Sequence, residues 1–167
     1  MLRKRQPKKR VTSEQSSDPA TALAAAVTLL ARRDFCSSEL TARLTSRGFT
    51  FEAVRASLEE LRDRHYLDDE RYVRQFVASH AGRGHGPVRI RHDLSELGLS
   101  AELTDRALVE FGDWPALARE IRAQRFGAKP PQTWPDKARQ ARFLQYRGFS
   151  NDDIRLALGF DVTADSS

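Results

Sequence analysis

The apolar positions of this chain recur with a period of fifty residues. Gly48, Gly98 and Gly148 each have a Leu four positions earlier (Leu44, Leu94, Leu144) and a large apolar residue directly after (Phe49, Leu99, Phe149). A hydroxyl residue follows (Thr50, Ser100, Ser150), then an acid two positions later (Glu52, Glu102, Asp152). Ten positions beyond each Gly stands another Leu: Leu58, Leu108 and Leu158. The pattern predicts one helix ending at the Gly and another beginning at the hydroxyl residue. The Gly takes the left-handed position past the helix end, which costs it least. The Thr or Ser oxygen accepts an orphan backbone N–H of the next helix. The acid lies in the first turn, at the positive end of the helix dipole. The apolar residue between them pins the corner into the core.

A further helix precedes each pair. Asp18-Pro19, Asp68 and Asp113-Trp114-Pro115 are the openings, with Asp as cap and Pro suited to the first turn. Leu23, Val27 and Leu30 predict the inward face of the first opening helix. Tyr72, Phe76 and Val77 do so for the second, and Leu117 and Ile121 for the third. Second helices are expected near 37–47, 87–97 and 135–147, and third helices near 51–64, 101–111 and 151–158. A Pro-rich insertion, Gly127 to Pro135, interrupts the last group. No segment alternates with period two, so no sheet is expected. The fold class is all-α: three tandem three-helix repeats at 18–66, 67–112 and 113–160. Units this small bury little core alone, which predicts a stacked, elongated array.

Charge changes the picture at one end only. The 167 residues carry a net charge of +5. Residues 1–17 hold six basic side chains and one acid, so they account for all of it, and the rest is neutral. This segment has almost nothing apolar and is expected to be a disordered basic tail, with residues 161–167 a short C-terminal end. A basic tail binds an acidic surface or is simply solvated. The apolar stretch Ala22 to Ala31 lies behind about twenty polar residues and before Arg32-Arg33-Asp34, which argues against a secretory signal. No apolar run reaches the eighteen or so residues of a membrane span. One cysteine, Cys36, excludes a disulfide framework and a cysteine-rich zinc site. The expected compartment is the cytoplasm.

Candidate chemistry is sparse. Gly82-Arg83-Gly84-His85-Gly86-Pro87 looks like a phosphate loop but lacks the required spacing and Lys, and no strand precedes it. It reads as a helix–helix connector with Pro87 in the first turn, or as a contact loop helped by Arg83, His85, Arg89 and Arg91. Residues 119–147 hold eight basic groups and two acids. Within them Arg125, Lys129, Lys137, Arg139, Arg142 and Arg147 interleave with Phe143 and Tyr146. Aromatics beside Arg suit single-stranded nucleic acid, and an Arg face equally suits a protein's acidic groove. Cys36 has no local His to activate it. His65, His80, His85 and His92 show no metal-site spacing and would need carboxylate help to ligate an ion. Asp68-Asp69-Glu70 is explained by capping. There is no catalytic constellation, and no cofactor is called for.

Four stretches together resemble the RecX family of regulators of the RecA recombinase. They are Leu30-Ala31-Arg32-Arg33 with Ser38-Glu39-Leu40 and Leu44; Tyr66-Leu67-Asp68-Asp69-Glu70-Arg71-Tyr72; Gly84-His85-Gly86-Pro87 with Ile90 and Leu94; and Lys137 through Ser150. Where the family usually has Ser, this chain has Cys36. The resemblance covers about residues 20–160. It implies a curved all-helical array that binds the RecA filament on single-stranded DNA. It implies inhibition of ATP hydrolysis, strand exchange and co-protease activity, by a protein that is no enzyme. It says nothing of the basic tail. The expected contact residues are Arg83, Arg89, Arg125, Lys137, Arg139, Arg142, Tyr146 and Arg147, on a monomer with weak direct DNA contact and no membrane partner. The alternative is a helical-repeat protein that binds single-stranded DNA directly.

Overall fold

The computed structural model describes residues 17–159. The expectations for the basic tail, save Ser17, and for the C-terminal end lie outside these residues. Among the described residues there are nine α-helices and no strand. They are α1 (Pro19–Leu30), α2 (Ser37–Thr45), α3 (Phe51–Asp63), α4 (Asp69–Gly82), α5 (Pro87–Glu96), α6 (Ala101–Phe111), α7 (Trp114–Phe126), α8 (Trp134–Arg147) and α9 (Asn151–Leu158). None is long and apolar enough to cross a membrane.

The fifty-residue pattern has one structural cause at all three corners. Gly48, Gly98 and Gly148 have φ of 93°, 73° and 85°. Their N–H groups donate to the carbonyls of Thr45, Ser95 and Gln145, each at 2.9 Å. The next residue's N–H reaches back to the fully buried Leu: Phe49 to Leu44 (3.3 Å), Leu99 to Leu94 (3.2 Å) and Phe149 to Leu144 (3.1 Å). This is the two-bond Schellman closure, with its usual apolar pair around the Gly. Thr50, Ser100 and Ser150 then accept from the N–H groups of Ala53, Leu103 and Asp153. Asp153 returns a bond to the Ser150 backbone and completes a capping box.

The chain packs as two units, one ending at Asp69 and the other beginning at Glu70. In the first, α1 lies chiefly against α3 over a core that includes Leu40, Leu44, Val54 and Leu61. Arg33 forks onto Glu39 at 3.1 and 2.7 Å. Cys36 occupies the α2 N-cap without a side-chain cap bond, and Asp69 Oδ1 accepts from the Ser37 N–H at 2.7 Å instead. In the second unit α4 to α9 share a single core containing Val73, Val77, Ile90, Leu94, Leu144 and Ile154.

The opening helices differ from expectation by a small rotation. In α1 the buried face is Ala22, Ala26 and Leu29; Leu23 and Leu30 are half-buried, and Val27 is 47% exposed. Small side chains at 22 and 26 let α1 sit close to its neighbour, so alanines rather than larger residues define the contact. In α4 Val73, Val77 and Ala81 are buried, while Tyr72 and Phe76 flank them. In α7 Trp114, Ala118 and Arg122 are buried, and Leu117 and Ile121 are half-buried.

Candidate partner-binding cleft

The half-buried side of α7 has a second neighbour besides the core. Leu117, Glu120, Ile121 and Gln124 stand at i, i+3, i+4 and i+7, and together they face an open cleft of about 520 Å³. Opposite walls come from Ala78, Ala81 and Gly82 of α4, Phe111 at the end of α6, and Phe143 and Arg147 of α8. The rim carries Arg83, Arg125 and Arg147 against a single acid, Glu120. The cleft is therefore an apolar floor with a cationic edge. Guanidinium groups so placed bind carboxylate or phosphate oxygens in pairs of hydrogen bonds.

Local structure fixes each arginine differently. Arg147 ends α8; its Nη1 donates to the Arg83 carbonyl at 3.1 Å, and its guanidinium lies 5.4 Å from the Phe143 ring centre. That bond ties the end of α8 to the connector between α4 and α5. Arg83 and Arg125 are exposed, the latter on the last turn of α7.

Arg122, one turn before Arg125, is buried and belongs to the interior. Its guanidinium donates to the carbonyls of Gly127 (3.3 Å), Ala128 (3.1 Å) and Lys129 (3.1 Å), and to Gln140 Oε1 (3.4 Å). It thereby holds the Pro-rich insertion in place, and it adds nothing to the surface charge counted for residues 119–147. Only its Nε lacks a partner. Sequence reasoning does not single it out, because an internal Arg on carbonyls has no local signature.

Of the eight expected contact residues, Arg83, Arg125 and Arg147 converge on the cleft. Arg139, Arg142 and Tyr146 fall at i, i+3 and i+7 on α8 as an exposed stripe. Arg139 pairs with Asp136 at 3.2 Å and lies 5.4 Å from the Phe126 ring centre, while Tyr146 is 85% exposed. Lys137 is half-buried on α8. Arg89 sits on α5, 3.8 Å from Asp93, and does not line the cleft. Phe111 is a cleft residue that the sequence pattern leaves unassigned, and Phe143, read there as an aromatic among the basic residues, lines the same cleft. Metal-capable side chains also meet in this unit, at His80, His85 and Asp93.

Comparison with known proteins agrees with this architecture. Residues 68–108 match the model of the second RecX three-helix domain, and residues 115–158 match the third. The chain is 40% identical over 134 residues to the regulatory protein RecX of Pseudomonas fluorescens, covering 80% of this chain and 86% of that one. It is 42% identical over 134 residues to that of Halorhodospira halophila, covering 80% and 83%. The crystal structure of RecX from Lactobacillus salivarius superposes with a TM-score of 0.74 at 20% identity, over 84% of this chain and 94% of that one. This chain belongs to the RecX family.

Proposed function

We propose that this protein regulates RecA by binding the RecA–DNA filament and inhibiting its recombinase, ATPase and co-protease activities, with no catalysis of its own. The observation that carries the reading is the match to regulatory RecX proteins over four-fifths of the chain. The cleft supplies the contact. Its three arginines engage an acidic groove of the filament protein, and Leu117, Ile121 and Phe143 bury apolar surface behind them. Weak contacts repeated along neighbouring protomers add through avidity. On this reading the protein works in the cytoplasm as a monomer, within DNA recombination, repair and the SOS response.

A second reading has its own support. Tyr146 shares an exposed face of α8 with Arg139 and Arg142, an aromatic ring and two basic side chains in one stripe, which suits stacking on single-stranded DNA. The two readings separate with Arg83→Glu combined with Arg125→Glu. Both side chains are exposed, so the fold survives. The filament-contact reading predicts at least a tenfold loss of binding to RecA filaments and unchanged binding to bare single-stranded DNA. A double variant that binds filaments like the parent removes the cleft from the contact.

A further inference from the structure

Two imidazoles and a carboxylate meet where α4 turns into α5. His80 lies in the last turn of α4, His85 in the connector and Asp93 in α5. Gly84, at φ 78°, folds the connector back, so that the His85 N–H donates to the His80 carbonyl at 3.1 Å. The two Nδ1 atoms then stand 3.2 Å apart. Phe76, one turn earlier, stacks on the His80 ring with centroids 3.9 Å apart and fixes its plane. Asp93 Oδ2 lies 3.8 Å from His80 Nδ1. All three residues are half-buried and donate into the same small space.

We propose that His80, His85 and Asp93 bind a divalent transition ion of the zinc class through the two Nδ1 atoms and the carboxylate, leaving a fourth position open to solvent. Tetrahedral donors about 2.0–2.1 Å from zinc stand about 3.3–3.4 Å from one another. The imidazole pair meets that separation as it stands; Asp93 Oδ2 is about half an ångström too far from His80 Nδ1, and the three ligand atoms all lie within 4.8 Å of one another, so the carboxylate must close on the pair.

The surroundings select among ions. Arg83, Arg89 and Arg147 bring positive charge near the site, with Asp93 as the opposing acid. A hard cation held mainly by charge is disfavoured there, whereas a borderline ion held by imidazole nitrogen is less affected. Burial, then the charge of Arg83, lowers the His80 pKa, and burial, then Arg89, lowers that of His85. A bound ion would tie the end of α4 to α5 and stiffen the connector that carries Arg83, one wall of the cleft.

The test is a zinc titration of the untagged full chain, followed by the imidazole nitrogen resonances of all four histidines. The expected result is saturation at one equivalent, with His80 and His85 shifting and His65 and His92 unmoved. Zinc affinity should fall at least tenfold in His85→Gln and also fall in Asp93→Asn, and His92→Gln should bind like the parent. If His85→Gln melts early without metal, the resonance pattern of the parent decides. Shifts confined to His65 or His92, equal weak shifts at all four, no saturable binding, or full affinity in a folded His85→Gln would each overturn the proposal.

Discussion

Gly86 and Gly148 lie backbone to backbone. The Gly86 N–H donates to the Arg147 carbonyl at 2.8 Å, and two residues on the Val88 N–H donates to the Gly148 carbonyl at 2.9 Å. Pro87, between them, has no N–H to place. The carbonyl end of α8 is therefore capped by the amide end of α5, and opposite ends of two helix dipoles meet. A Cβ on Gly86 would overlap the Gly148 carbonyl, and one on Gly148 would overlap the Arg89 Cβ. The contact holds Arg147 beside Arg83, and so sets part of the cleft rim.

Three alanine substitutions separate backbone conformation from close approach. Gly48→Ala meets no atom within 4 Å, so only its φ of 93° resists, and the cost should be about 1 kcal/mol. Gly86→Ala has an ordinary φ of −84°, so its cost of about 1–3 kcal/mol comes from overlap alone. Gly148→Ala suffers both effects and should be the most destabilised. Denaturant melts of the three variants check this order; Gly48→Ala as the least stable would contradict it.

His65 is a left-handed residue without glycine's freedom. It has φ 59°, and it closes α3 with its N–H on the Arg62 carbonyl (2.9 Å) and the Tyr66 N–H on the Leu61 carbonyl (2.8 Å). The bonds repeat those at Gly48, with a Cβ that the conformation disfavours. His65→Gly should stabilise the protein by about 0.5–1 kcal/mol, the relief of strain exceeding the entropy gained by the unfolded chain. A lower melting temperature in this variant would show that the His65 side chain contributes more than its backbone costs.

Much of the helical fold is legible in the sequence because it is written locally. The Leu–Gly–apolar–hydroxyl string specifies a closure, a corner and a cap within seven residues, and each bond it implies is present. The inward faces of the opening helices are less legible. Val27 is more apolar than Ala22 and Ala26, yet the alanines are the ones buried, because close helix contact rewards small size. The cleft is barely legible. Arg83, Arg125 and Arg147 lie on three elements and meet only through tertiary packing. Arg122 shows the converse, a basic residue that composition assigns to the surface and packing takes inside.

The basic N-terminal segment should act at long range and the α8 stripe at close range. Residues 1–17 carry the whole net charge, so a chain lacking them should bind RecA filaments more weakly at low salt. The difference should shrink as screening shortens to about 8 Å near physiological ionic strength. Arg139→Glu with Arg142→Glu should weaken binding at every salt concentration. A salt series on the intact, shortened and doubly substituted proteins is the check. Equal low-salt affinity of the intact and shortened chains would assign the segment no part in binding, and a folded double variant with normal affinity would remove the stripe.

The proposed function is restraint of RecA without chemistry of this protein's own. The direct measurement is the rate of ATP hydrolysis by RecA on single-stranded DNA as this protein is added from substoichiometric to equimolar ratio, with filament length followed in the same samples. Under the proposed function the rate falls, and the protein alone hydrolyses no ATP. An unchanged rate together with unchanged filament length at equimolar ratio would contradict it.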